Sequence, residues 1–244
     1  MITPNETPDL DIAIFPGHLC NGRLFAHQLE SLADVARIHV LDLYTHDSVA
    51  ALAKDALSSL PQHFVLMANS MGGAVAFEVL RQARHRVRAL ILIGTTCRPE
   101  TPVQSARRAE TLVLAQNEDW QAIADLYAPV FFSPQTRTHN PALDETLAQM
   151  ILAAGERGIR HQQRAFAARP NSTGTLAKID CPTLVICGRD DMITPLELSE
   201  EIVTGVHHAE LAVVDECGHV PTLERPELTT KIIRDWIQRT LNTR

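Results

Sequence analysis

Apolar residues along this chain gather into short unbroken runs, and more polar stretches with helical spacing separate them. Residues 10–15 and 38–43 read as strands, and so do the run from Phe64 that ends at Ser70, residues 89–93, the run from Thr183 and the run from Leu211. Between the second and third runs, Val49, Leu52, Ala53, Ala56, Leu57 and Leu60 share one face of a helix. Strands alternating with helices predict an α/β fold, with a mostly parallel sheet flanked by helices and right-handed crossovers. Most of the runs are apolar at successive positions rather than at every second one, so the sheet is expected to be covered on both faces.

The alternation stops after Gly94. From residue 97 to residue 175 no strand pattern occurs, and helix-like stretches cover about 106–115, 120–127, 143–154 and 160–168. Trp120, Tyr127, Phe131, Phe132 and Phe166 lie in this insertion. Most of them are expected to pack it onto the core, and at least one to face a cavity. Repeats, low-complexity tracts and long linkers are absent, so residues 1–244 read as one domain with a helical cap inserted at 97–175.

Three strand ends carry candidate chemistry. In Ala68-Asn69-Ser70-Met71-Gly72 a strand-like run passes into a helix-like run at one serine between small residues. That is the pattern of a nucleophile elbow, usually Gly-x-Ser-x-Gly, with alanine in the first glycine place. The run from Thr183 ends in Gly188-Arg189-Asp190-Asp191, with Pro195 beyond, and the run from Leu211 stops at Gly218-His219. In an open α/β sheet, ligand sites form at the carboxyl ends of the strands. A serine hydroxyl needs a base within reach, and His219 suits that role. An acid must then fix the tautomer of the ring, and Asp190 and Asp191 compete for it. An oxyanion formed on attack needs donors already in place, and the backbone N–H of Met71, next after Ser70, is one.

The order Ser, Asp, His, with these motifs, closely resembles the α/β-hydrolase superfamily. The resemblance extends along nearly the whole chain. It implies that Gly188 to Pro195 is the acid motif, which favours Asp191, and that Gly218-His219 with Glu224-Arg225-Pro226 is the histidine motif. Phe15-Pro16-Gly17-His18 resembles the loop that supplies the second oxyanion donor, the backbone N–H of His18, with Leu19 as the alternative. It also places a lid where the helical insertion falls. The implied activity is hydrolysis of a carboxylic ester or lactone of a small, largely apolar molecule through an acyl-enzyme on Ser70. Hydrolysis of an activated carbon–carbon bond, as in relatives acting on ring-cleavage products, and a non-catalytic small-molecule receptor are the alternatives.

Composition narrows the remaining classes. Apolar residues make up 45% of the 244, enough for a substantial core, and charged residues 21%. A net charge of -7 gives no general affinity for nucleic acid or anionic membrane. One basic run, residues 81–88, reads as cations at a helix end facing water. Metal-binding, Walker and dinucleotide patterns are missing, and neither metal nor cofactor is expected. The five cysteines, Cys20, Cys97, Cys181, Cys187 and Cys217, lack paired spacing and read as reduced thiols, Cys217 as a small buried filler near the site. The first six residues carry neither a basic start nor a long apolar stretch, so a cytoplasmic protein without secretory signal or membrane span is expected. Nothing in the sequence sets the oligomeric state.

Overall fold

The computed structural model describes residues 9–241. The opening residues, read above for a secretory signal, lie outside the described residues. In chain order the elements are β1 (Asp11–Phe15), α1 (Ala26–Ser31), β2 (Arg37–Val40), α2 (Val49–Ser59), β3 (Phe64–Asn69), α3 (Met71–Ala83) and β4 (Val87–Ile93). Five helices follow: α4 (Pro102–Gln116), α5 (Trp120–Phe131), α6 (Pro134–His139), α7 (Ala142–Ala167) and α8 (Thr173–Leu176). The sheet then resumes with β5 (Thr183–Gly188), α9 (Leu196–Gly205) and β6 (Ala209–Val214), and α10 (Pro221–Glu224) and α11 (Pro226–Leu241) complete the described elements.

All strand pairings are parallel, in the order β2-β1-β3-β4-β5-β6. Every residue of β1, β3 and β5 is buried, whereas the edge strands β2 and β6 are only partly covered. The unbroken apolar runs therefore mark the central strands, as expected of a sheet with helices on both faces. One face sends Ile12, Ile14, Val65, Met67 and Ile91 into a cluster with Trp236 and Ile237 of α11. The other sends Phe15, Leu66 and Leu92 against Leu52 of α2, Phe77 of α3 and Ile202 of α9. Alternate residues of each strand thus serve opposite layers. The chain leaves β1 toward β2 and returns to the far side of β1 as β3, so the topological switch lies between β1 and β3. The loops after these two strands face a common crevice.

The α4–α8 segment contains no strand among the described residues and forms the inserted helical cap. Within α7, Gly155 takes φ 61°, which no continuous α-helix contains, so the run is two helices end to end. This is why its sequence shows two separate helical stretches. The basic run at 81–88 is more than a solvated helix end. Arg86 donates to the carbonyls of Leu57, Leu60, Pro61 and Gln62 and so closes the C-terminus of α2.

Candidate active site

Ser70 joins β3 to α3 with φ 51° and ψ -115°, a strained left-handed conformation for a side chain other than glycine. Its neighbours hold it there. Its N–H donates to the Ile93 carbonyl at 2.9 Å, and its own carbonyl accepts from Thr95 Oγ1 at 2.7 Å and from the Gly73 N–H at 2.9 Å. Gly72 lies so close to β1 that a Cβ there would overlap the carbonyls of Phe15 and Pro16, both backbone. Only glycine lets α3 begin this near the oxyanion loop.

The structure brings Ser70, His219 and Asp191 into one line. His219 Nε2 is 2.8 Å from Ser70 Oγ, and Nδ1 is 2.9 Å from Asp191 Oδ2. The two supporting groups are almost fully buried, His219 at 1% exposure and Asp191 at 4%. Asp190, the competing acid, is exposed, and its backbone N–H donates to the Cys217 carbonyl. Asp191 also accepts from the N–H groups of Ile193 and Thr194 and from Thr194 Oγ1. Burial alone would raise its pKa. The His219 ring and the Thr194 donors outweigh that and hold the carboxyl below its ordinary value, in the ionised form a histidine partner needs.

The loop carrying His219 is tied down by Glu224. Its buried carboxylate accepts from the N–H groups of Gly218, Val220 and, across in the cap, Ser133. The His219 N–H donates to the Phe131 carbonyl at 2.8 Å, and the Phe131 ring lies 5.4 Å from the imidazole. In the sequence Glu224 shows only as part of a motif, and nothing there signals the anchoring of His219 by Phe131 or of Asp191 by Thr194. Cys217 is buried and does not line the site, and burial pushes its thiol far up in pKa.

His18, the first expected donor, lines the cavity over Ser70, and Met71, the second, follows Ser70 directly. Neither N–H takes part in a hydrogen bond among the described residues. Leu19, the alternative donor, is engaged elsewhere: its N–H donates to Gln162 Oε1 of α7 at 2.9 Å. Leu19 itself has φ 62° in the turn closed by the Cys20 N–H on the Gly17 carbonyl. Met71 opens the 13-residue helix α3, whose N-terminal dipole favours negative charge at that end.

A narrow cavity of about 50 Å³ opens over Ser70. Tyr127, Phe131 and Phe166 of the cap roof it, together with His18, Ile193 and the α4 residues Gln104, Arg107 and Arg108. Trp120 and Phe132, the other two aromatics of the insertion, do not line it and pack into the interior. Burial, with the nearby Arg108 cation, pushes the His18 imidazole down to about 3, so the ring is neutral. Among the described residues no group of three His, Cys, Asp or Glu side chains is placed to hold a metal ion. No helix among them is long and apolar enough to cross a membrane.

A sequence model described as the alpha/beta hydrolase family matches residues 12–231. A pimeloyl-acyl-carrier-protein methyl ester esterase from Nitrosomonas europaea is 24% identical, over 89% of this chain and 91% of its own length. The structure of a thermophilic esterase from Thermogutta terrifontis, with malate bound, superposes with a TM-score of 0.88 at 30% identity, covering 96% of this chain and 91% of that one. An enol-lactonase from Burkholderia xenovorans LB400 shares the fold, with a TM-score of 0.86 at 18% identity over 96% of this chain and 93% of its own.

Proposed function

The chain belongs to the alpha/beta hydrolase family, and from that premise we propose that it cleaves a carboxylic ester or lactone of a small, largely apolar molecule through an acyl-enzyme on Ser70. The observation that carries this reading is the hydrogen-bonded line from Ser70 Oγ through His219 to the ionised Asp191, at the floor of an apolar cavity. In the first step His219 Nε2 takes the hydroxyl proton as Ser70 Oγ attacks the ester carbonyl. Asp191 keeps the other proton on Nδ1 and stabilises the imidazolium. The tetrahedral oxyanion sits against the N–H groups of His18 and Met71, whose positions are fixed before the substrate arrives. Collapse expels the alcohol with the proton from His219, and a water activated by the same ring then hydrolyses the acyl-enzyme. In a lactone the alcohol freed in the first step stays tethered to the acyl chain, and the second step releases a single hydroxy acid.

The ester-cleaving relatives support an ester substrate, and the cap at 97–175 would close the acyl pocket. The five cysteines are all buried as free thiols, which fits the proposed reducing, cytoplasmic setting. The test is a panel of esters of graded chain length, lactones and a vinylogous diketone, run with wild type and Ser70→Ala. Hydrolysis of esters or lactones that Ser70→Ala lowers by orders of magnitude is the expected result. A far larger kcat/KM for the diketone would move the assignment to carbon–carbon cleavage. Ligand binding without turnover would move it to a receptor.

A further inference from the structure

Apart from Ser70 and the His18 and His219 rings, the cavity over Ser70 is polar only along its α4 wall, and the charge there is unbalanced. Two guanidinium groups, Arg107 and Arg108, line it, and no carboxylate does. Arg108 is fully committed. Its Nε and Nη2 go to Glu100 Oε1, and Nη1 donates to Gln163 Oε1 at 2.5 Å. Arg169, just behind, is committed as well, to the Arg98 and Phe166 carbonyls and to Gln104 Oε1. Arg107 differs. It is half-buried, and its guanidinium carbon lies 5.9 Å from the centroid of the Tyr127 ring. Among the described residues no carboxylate forms an ion pair with Arg107, and Glu100, the acid at the start of this wall, pairs with Arg108.

Gln104 stands one helical turn before Arg107 on the same face of α4 and also lines the cavity. Its Oε1 already accepts from the Thr101 N–H and from Arg169, and its Nε2 has no partner among the described residues. An uncommitted guanidinium and an uncommitted amide N–H₂ therefore face one cavity together. In a chain of net charge -7, a half-buried cation left without a counterion is not a by-product of general basicity. A planar guanidinium fork matches a carboxylate, and the low-dielectric wall strengthens that pairing.

We infer that Arg107, with Gln104, forms a seat for a carboxylate on the substrate, so that the preferred substrate is an ester or lactone whose apolar skeleton carries one further carboxylate. The inference rests on the hydrolase reading and narrows its substrate class. Arg107 is then the specificity-determining residue, separate from the reacting groups.

The experiment compares monomethyl esters of succinate, glutarate and adipate with the methyl esters in which a neutral carboxamide replaces the free carboxylate. The readout is the ratio of kcat/KM for each matched pair, in wild type, Arg107→Gln and Arg107→Lys. Wild type should favour the carboxylate member by about tenfold or more, the size of one charge-assisted hydrogen bond. Arg107→Gln should abolish that preference, Arg107→Lys should retain part of it, and added salt should reduce it in wild type. Equal turnover of the matched pairs in wild type, or a preference that survives in Arg107→Gln, overturns the seat and leaves ester hydrolysis standing. Folded protein that turns over neither these series nor any ester or lactone of the wider panel overturns the ester-hydrolase reading instead. Calorimetric titration of Ser70→Ala with monomethyl glutarate and its carboxamide then decides the seat alone. Tighter binding of the carboxylate that is lost in Ser70→Ala/Arg107→Gln supports it, and equal binding overturns it.

Discussion

At the scale of single residues, the choice between two adjacent acids shows what a sequence can and cannot specify. Asp190 and Asp191 follow the same glycine, and no propensity or periodicity separates them. The separation comes from the loop. Asp191 Oδ1 accepts the N–H groups of Ile193 and Thr194, a local turn that fixes its carboxylate and presents Oδ2 to His219. Asp190 is left facing water. Asp191→Asn should therefore lower kcat by about 10³–10⁴, because an amide at that place favours the wrong tautomer of His219. Asp190→Asn should stay close to wild type. Steady-state kinetics on one activated ester, with circular dichroism to verify folding, checks both, and similar losses in the two variants would contradict the assignment. Ser70 was legible for the opposite reason: the small residues around it and the abrupt change of period are themselves consequences of the strained turn.

At the scale of elements, β1, β3, β4 and β5 were legible because burial on both faces makes successive positions through most of each strand apolar. The short helix α1 was not, since within it only Gln28 is buried and no apolar stripe exists. The same holds for α6, where only Thr136 is buried. Edge and end interactions were also invisible, because they join residues far apart in sequence. Arg86 is one such case. Arg86→Met should remove its bonds to the α2 carbonyls and cost about 1–3 kcal/mol, measured by urea unfolding, with activity retained. At the β1–β2 edge, Asp11 accepts from Arg37 and lies 2.7 Å from His39 Nε2. The Arg37 guanidinium, with His39, overcomes the effect of burial and lowers the Asp11 pKa from 3.8 to about 2. A carboxyl with a lowered folded-state pKa contributes stability that is present above 3.8 and lost as pH falls toward 2. Asp11→Asn should accordingly melt below wild type at neutral pH, with the difference closing across that acid window. A constant difference from neutral pH to pH 2 would show that the contribution is not the charge on Asp11.

At the scale of the whole molecule, the cap does more than cover the serine. Its helices reach both the histidine and the oxyanion loop. Phe131 of α5 holds His219 through its carbonyl, and Ser133 shares the Glu224 carboxylate with Gly218 and Val220. Gln162 of α7 takes the Leu19 N–H across 143 positions of sequence. Such a contact leaves no trace in a helical pattern, where Gln162 reads as one more polar residue, yet it is fully buried. Its mechanical role follows from the backbone. Leu19 sits at φ 62°, a conformation a leucine leaves unless the surroundings restrain it, and it adjoins the His18 N–H proposed for the oxyanion. Replacing the glutamine by leucine preserves bulk in the core and deletes the acceptor. We expect Gln162→Leu to lower kcat by about ten- to a hundredfold through a displaced oxyanion donor. The Ser70–His219–Asp191 line contains no cap residue and should stay intact. Two measurements separate these effects: kcat for an activated ester, and the rate at which an organophosphonate labels Ser70, since the phosphonyl oxygen uses the same donors. Both should fall together while Gln162→Glu, which restores an acceptor, recovers part of the loss. A loss confined to KM would instead mean that α7 shapes only the pocket and that the oxyanion loop holds its strained turn unaided.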